Sequence, residues 1–250
     1  MATECRIPYG GAVRRGRLER RYKRFFVDVV LDGPEGLVTA HTPNTGAMTG
    51  LLERGSPVLV THDPSPKRTL HWTLQAICAG GAWVGCNTLV PNRLVHSAVE
   101  AGLIRELRGY RRVRKEVPYG HDGRSRVDLL LEDHARGRPD CLVEVKSVTL
   151  REGDKALFPD AVSARGKKHL EELTREVEAG RRAAMVYVTQ RVDCRSFSPA
   201  VEVDPEYALA LARARASGVE MIAVQARVEE DGVAFAGRLP VRLPARRPRA

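Results

Sequence analysis

Three residues carry the most legible chemistry in the chain. Asp128 closes the run Ser125-Arg-Val-Asp128, and Glu144 and Lys146 sit in Cys141-Leu-Val-Glu-Val-Lys-Ser-Val-Thr149. Strand side chains alternate between faces, so Glu144 and Lys146 share one side while Val143 and Val145 share the other. A Glu-x-Lys in a strand is often a solvated ion pair. Here the flanking Val143, Val145 and Val148 mark a covered strand, and burying three charges without a use for them is expensive. An Asp on one strand with Glu-x-Lys on the next is the pattern of a divalent-metal phosphodiester-cleaving site. Such a metal, Mg²⁺ or Mn²⁺, wants hard oxygen ligands and open positions for water and phosphate. Asp128, Glu144 and the backbone carbonyl of Val145 are the expected ligands. Lys146 would orient the attacking water or stabilise charge on the phosphate. Glu116 is the candidate outer ligand, and Gln190 a candidate hydrogen-bond partner of bound water.

Those residues need a scaffold, and the sequence spells one out in two parts. Phe25 to Leu31, Leu37 to His41, Ser56 to Thr61, Leu70 to Ile77 and Trp83 to Cys86 are short apolar runs separated by Gly/Pro-rich turns. Five or so short strands in 86 residues predict an OB-like barrel over 1–86, although an SH3-like barrel gives much the same text. Leu94, Val95, Ala98 and Val99 recur at helical spacing up to Gly102. A short strand over 111–119, the two carboxylate-bearing strands, a helix near 161–179 and a buried strand over 182–189 follow. Asp204-Pro205 supplies an N-cap and a first-turn proline for a helix that Gly218 stops. A hairpin turns at Asp231-Gly232, and 244–250 reads as a disordered basic tail. Residues 87–243 therefore predict an α/β sandwich around a mixed sheet.

Composition narrows the partners. Of 250 residues, 41 are basic and 31 acidic, for a formal charge of +10, and only seven of the basic residues are lysine. Arginine suits phosphate and planar acceptors, and the charge predicts affinity for polyanions without specificity. The five cysteines are widely spaced with no Cys-x-x-Cys pair, which argues against a disulfide framework or a zinc knuckle and fits a reducing cytoplasm. Neither a signal-length apolar core nor a membrane-spanning run is present, so no membrane partner is expected.

Several blocks, taken together, resemble the sugar fermentation stimulation protein A (SfsA) family. They are Arg21-Tyr-Lys-Arg-Phe25, His41-Thr-Pro-Asn-Thr-Gly-Ala-Met48, Trp83-Val-Gly-Cys-Asn-Thr88, Glu116-Val-Pro-Tyr-Gly120, Ser125-Arg-Val-Asp128, Cys141 to Thr149 and Phe158-Pro-Asp-Ala-Val162. The resemblance runs nearly end to end. It implies an α+β chain with an N-terminal OB-like domain and a C-terminal PD-(D/E)xK nuclease-like domain. It also implies DNA binding and a regulatory link to sugar metabolism. Asp128, Glu144 and Lys146 take the metal and catalytic positions by motif, with Glu116 beside them.

DNA, single- or double-stranded and without strong sequence preference, is thus the expected partner, with the nucleoid as its place in the cytoplasm. The same site chemistry would serve RNA. A homodimer is a candidate assembly. For the nucleic-acid surface, Arg20, Arg21, Lys23 and Arg24 would grip phosphates and Tyr22 would stack a base; a solvated strand edge explains the same cluster. Asn44, Thr45 and Lys67 are candidates for the same groove, and Arg165 and Lys168 for the sandwich side. His169 either meets the scissile phosphate or is a partly exposed helix residue. His41 reads as structural. Asp160 reads as a helix N-cap, with metal ligation as its other role.

Overall fold

A computed structural model describes residues 5–120 and 125–243, so the tail expected over 244–250 lies outside the described residues. The chain opens with β1 (Arg6–Pro8) and then winds a six-stranded sheet. Its strands are β2 (Ala12–Tyr22), β3 (Phe26–Leu31), β4 (Leu37–His41), β5 (Pro57–His62), β6 (Trp72–Ala79) and β7 (Ala82–Gly85), in the order β4-β3-β2-β5-β6-β7. Parallel pairing of Ala40 with Trp72 and His41 with Thr73 brings β4 onto β6 and closes five strands into the barrel. Closure removes the sheet edges and leaves Leu18, Val27, Val29, Val58, Val60 and Leu74 facing inward as a core of their own. This is the OB arrangement expected over 1–86, but its central strand β2 lies in the basic segment and not among the five apolar runs, and the last of those runs, β7, stands outside the closed five.

The rest of the chain forms a seven-stranded mixed sheet with helices on both faces. Its members are α1 (Val90–Glu100), β8 (Tyr110–Tyr119), β9 (Ser125–His134), β10 (Cys141–Val148), α2 (Ala164–Glu178), β13 (Arg182–Thr189), α3 (Pro205–Ala216), β15 (Glu220–Val228) and β16 (Gly232–Leu239). Between them, β11 (Leu150–Glu152), β12 (Lys155–Phe158) and β14 (Ser196–Pro199) make a small separate sheet. In the large sheet the order is β1-β16-β15-β13-β10-β9-β8, and β10, β13 and β15 run parallel at its centre. Alternation along β10 sends Val143 and Val145 to the α1 side and Leu142 and Val148 to the α2 side. Glu144 therefore faces α2.

Two further features depart from the expectation. β1 pairs with β16 through Arg6↔Ala234 and Ile7↔Val233, so the N-terminal segment belongs to the second sheet rather than to a barrel spanning 1–86. A three-residue strand with a partner more than 200 residues away leaves no local pattern. The β11-β12-β14 sheet was also not expected, because its strands are too short to show a period.

The start of α3 agrees with the capping signal. Asp204 accepts from the Tyr207 N–H at 2.9 Å and from the Ser163 N–H at 2.8 Å, which ties the starts of α3 and α2 together. Asp204 is buried, so Asp204→Ala orphans both donors. We expect a loss of about 1–2 kcal/mol from the cap alone, read as a lower midpoint in urea unfolding with an unchanged slope.

Candidate active site at the domain cleft

Regular pairing between β9 and β10 runs from Cys141↔Leu131 to Val143↔Leu129 and stops there. The Val145 N–H is taken instead by Oδ2 of Asp128, at 2.6 Å. Oδ1 of Asp128 accepts from the Asn92 side-chain amide, also at 2.6 Å, which brings the first turn of α1 into the site. Burial and the neighbouring Glu144 charge push the Asp128 carboxyl up to about 6, even though both hydrogen bonds favour its ionised form.

Glu144 is 3% exposed. Its Oε1 accepts from Lys146 Nζ at 2.7 Å and contacts His169 Nδ1 closely. Burial works against its charge, but the His169 hydrogen bond and the Lys146 ammonium outweigh that, and the net shift is downward. Arg165 Nε lies 3.4 Å from His169 Nε2 and can only donate, so Nε2 is the acceptor and Nδ1 carries the proton given to Glu144. The 3.3 Å separation of Lys146 Nζ from His169 Nδ1 is then proximity around a shared carboxylate oxygen.

Among the described residues, Oε2 of Glu144 is buried with no hydrogen-bond partner. An orphaned buried carboxylate oxygen is costly unless something cationic satisfies it. Asp128 keeps a free lone pair on each oxygen, and the residues fit a divalent cation held by Glu144 Oε2, Asp128 and the Val145 carbonyl. Among the described residues, no three His, Cys, Asp or Glu side chains gather closely enough to hold a metal by themselves.

Other candidates stand elsewhere. Glu116 is exposed on β8 with φ 51°, and its carbonyl accepts from Arg126 at 2.8 Å; it is not clustered with the two carboxylates. Gln190 donates to Ser147 at 2.9 Å and packs on Gly85, where an added Cβ would lie 2.5 Å from its Oε1. It braces the two domains. Asp160 is not the N-cap of α2; that role falls to Ser163, which accepts from the Gly166 N–H. Asp160 instead accepts from the Met48 N–H of the barrel at 2.9 Å. His169 is 4% exposed, neither a half-exposed helix residue nor a group facing the cleft.

Asn44, Thr45 and Gly46 of the barrel and Asn92, Val145, Lys146, Phe158 and Arg165 of the sandwich line one cavity of ≈ 310 Å³. The structure thus brings Asn44, Arg165 and Lys146 together. The basic cluster of the barrel divides. Arg20 pairs with the buried Asp28 at 2.8 Å and lies 5.0 Å over the Tyr22 ring, which itself stacks on Phe26. Arg21 donates to the carbonyls of Arg24, Asn44, Gly46 and Ala47, so it holds the loop rather than a phosphate. Lys23 and Arg24 are exposed, at φ 47° and 62°. Lys67 is exposed away from this cavity, and Lys168 pairs with Glu172 at 3.4 Å. Asn92 was missed in the sequence, where an Asn after a first-turn proline carries no sign of a partner 36 residues on.

The model of the SfsA N-terminal OB domain matches residues 20–86, and that of the sugar fermentation stimulation protein RE domain matches 89–232. The chain belongs to the SfsA family. A sugar fermentation stimulation protein homolog of Geotalea daltonii is 49% identical over 224 residues, covering 90% of this chain and 94% of the relative. One of Paramagnetospirillum magneticum is 49% identical over 233 residues, covering 93% and 96%. The structure of Pyrococcus furiosus SfsA in complex with Ca²⁺ superposes with a TM-score of 0.83 at 27% identity, covering 94% of this SfsA chain and 98% of that one.

Because the folded Asp128 carboxyl is raised from 3.8 to about 6, its protonated form is the one the fold favours. Its stabilising contribution is complete below the unfolded value and is lost as pH rises through about 6, by roughly 3 kcal/mol at 1.36 kcal/mol per unit. Asp128→Asn removes that buried charge. We expect the metal-free variant to melt higher than wild type at pH 8 and about equally at pH 4, measured by calorimetry in chelator.

Proposed function

We propose that this SfsA protein is a DNA-binding nuclease that cleaves phosphodiesters with Mg²⁺ or Mn²⁺ at Asp128, Glu144 and Lys146. The observation that carries the reading is the buried Glu144, its Oε2 without a hydrogen-bond partner among the described residues, meeting Asp128 and Lys146 behind the open cleft that Asn92, Val145 and Lys146 line. The cation would supply Lewis-acid polarisation of the phosphate. The chain's own groups do the rest. Asn92 and the Val145 N–H fix the Asp128 carboxylate from two directions, and His169 with Lys146 fixes Glu144 by one oxygen only. Lys146, part-exposed at the cavity, can donate to a phosphate oxygen as charge builds there. The related Pyrococcus furiosus protein is described as a complex with Ca²⁺, a cation that takes oxygen ligands of this kind.

A second reading is a non-enzymatic DNA-binding regulator of sugar-metabolism genes on the same scaffold. One observation favours it: Glu116 stands off the site, so among the described residues only two carboxylates meet there. Salt-sensitive DNA binding that survives substitution of Glu144 and Lys146 would support it.

Purified protein with Mn²⁺ is expected to degrade DNA. Lys146→Ala should lower the rate about 10²–10³-fold, the scale of losing one charge-stabilising donor, and should also lower the melting temperature, because buried Glu144 loses one of its two donors. Absence of cleavage of single- and double-stranded DNA, together with no Mn²⁺ bound by calorimetry, would defeat the nuclease reading.

A further inference from the structure

The cleft says more about substrate than the carboxylates do. Beside the cavity that reaches Lys146 lies a second, of ≈ 450 Å³, lined by Arg21, Arg24, Ala47, Pro159 and Ser163 among others. Thr45, Gly46, Phe158 and Asp160 line both. The two adjoin at these four residues, and together they trace a groove from the Arg24 turn of the barrel to Arg165 and Lys146 of the sandwich.

The barrel wall of that groove is fixed. Asp160 bonds the Met48 N–H, and its carboxylate packs so tightly on Gly46 that an added Cβ would sit 2.8 Å from Oδ2. The Gly85 N–H donates to the Gln190 carbonyl at 2.8 Å, and Leu59 and Ala76 of the barrel share a core with α1 and β15. A groove with walls held this way does not open to admit two strands. Its inner cavity is near the small end of ligand pockets, which run about 300–1,000 Å³. That space suits one nucleotide unit at a time.

The lining suits it too. Arg24 at one end and Arg165 and Lys146 at the other give cationic ends, and Phe158 lies between them, backed by Tyr187 and Tyr207 at ring distances of 5.8 and 5.2 Å. The carboxylate of Asp160 is the one negative charge on the shared wall, and its Oδ2 is occupied by the Met48 N–H. Lys23 and Arg24 both hold left-handed backbone, unfavourable for residues with a Cβ, and Arg21 locks the turn by donating twice to the Arg24 carbonyl at 2.9 and 3.1 Å. A strained cationic turn kept in place at a groove mouth fits phosphate capture. Cationic tracks with aromatic platforms are how barrel domains hold single strands.

We propose that this groove takes single-stranded DNA, threading from Arg24 past Phe158 so that one nucleotide is enclosed at Lys146, and that it excludes duplex. The inference rests on the nuclease reading for its choice of DNA, but its test does not depend on cleavage. Full-length protein in chelator is titrated into a labelled oligothymidylate of about 12 nucleotides, within the site sizes of single barrels, and into a blunt duplex of equal length, at one salt concentration. Anisotropy should show the single strand binding at least about tenfold tighter. Thr45 is exposed on the shared wall, so Thr45→Trp should plug the groove and weaken single-strand binding about tenfold, with the melting temperature unchanged. Arg24→Glu should do the same from the mouth. Equal or tighter duplex binding, or single-strand binding indifferent to Thr45→Trp, overturns the inference. Mn²⁺-dependent cleavage is scored separately. Cleavage without single-strand preference sinks only the groove assignment, and single-strand binding without cleavage sinks only the nuclease.

Discussion

Glu144 carries a charge at a position 3% exposed to solvent, and much of the site follows from having to keep it there. A carboxylate taken out of water is tolerated only with cations and donors around it. Lys146 supplies one, from two residues along the same strand face. His169 supplies another from α2, and Arg165 settles which imidazole nitrogen holds the proton. All of this converges on Oε1. Among the described residues the other oxygen has no partner, as is also true of Oε2 in Glu106, Glu132 and Glu172, but here it stands beside the second acid, Asp128. Asp128 shows the same tension in a second form, since its carboxyl is pushed up by burial and by Glu144 itself. Two acids that destabilise each other inside a fold mark stability given up for a site.

How legible this was depended on whether a feature was local. Alternation in Cys141 to Val148 gave the faces of β10 correctly, because period two is a property of the strand alone. Asp204-Pro205 marked the start of α3 for the same reason, and four of the five apolar runs up to Cys86 marked strands of the barrel that the parallel β4–β6 pairing closes as OB-like, while β2 was hidden in the basic segment. Contacts made across the fold were not legible. Asn92, β1 and the Asp160 bond to Met48 join segments that nothing in the chain text ties together. His169 was recognised as a candidate, but its burial against Glu144 came from the packing of α2 on the sheet.

The arginines were the hardest to read. A guanidinium that grips phosphate and one that cross-links backbone carbonyls are written with the same letter. Arg20 and Arg21 proved to be engaged within the chain, the first as an exposed partner of buried Asp28 and the second across four carbonyls of the barrel's own loops. A formal charge of +10 thus overstates the charge free to meet a polyanion. Part of it is consumed as scaffold, a use arginine suits because its planar fork presents several donors in fixed directions.

That use of Arg21 joins the barrel to the candidate site. The loop it braces is the one whose Met48 N–H meets Asp160 and whose Asn44, Thr45 and Gly46 form a wall of the cleft. Leu59 and Ala76 face out of the barrel into the core around α1, and β1 anchors the start of the chain in the far sheet. Barrel and sandwich are therefore packed as one body rather than two domains on a tether. Effective positioning needs the groups that hold a substrate to keep a fixed distance from those that act on it, and errors near 1 Å are costly in rate. A shared core supplies that distance at the folding stage. Substitutions at Gly46 or Gly85, far from any reacting atom, would then act on the cleft by shifting one wall against the other, because each glycine occupies a place where a side chain from the opposite domain already stands.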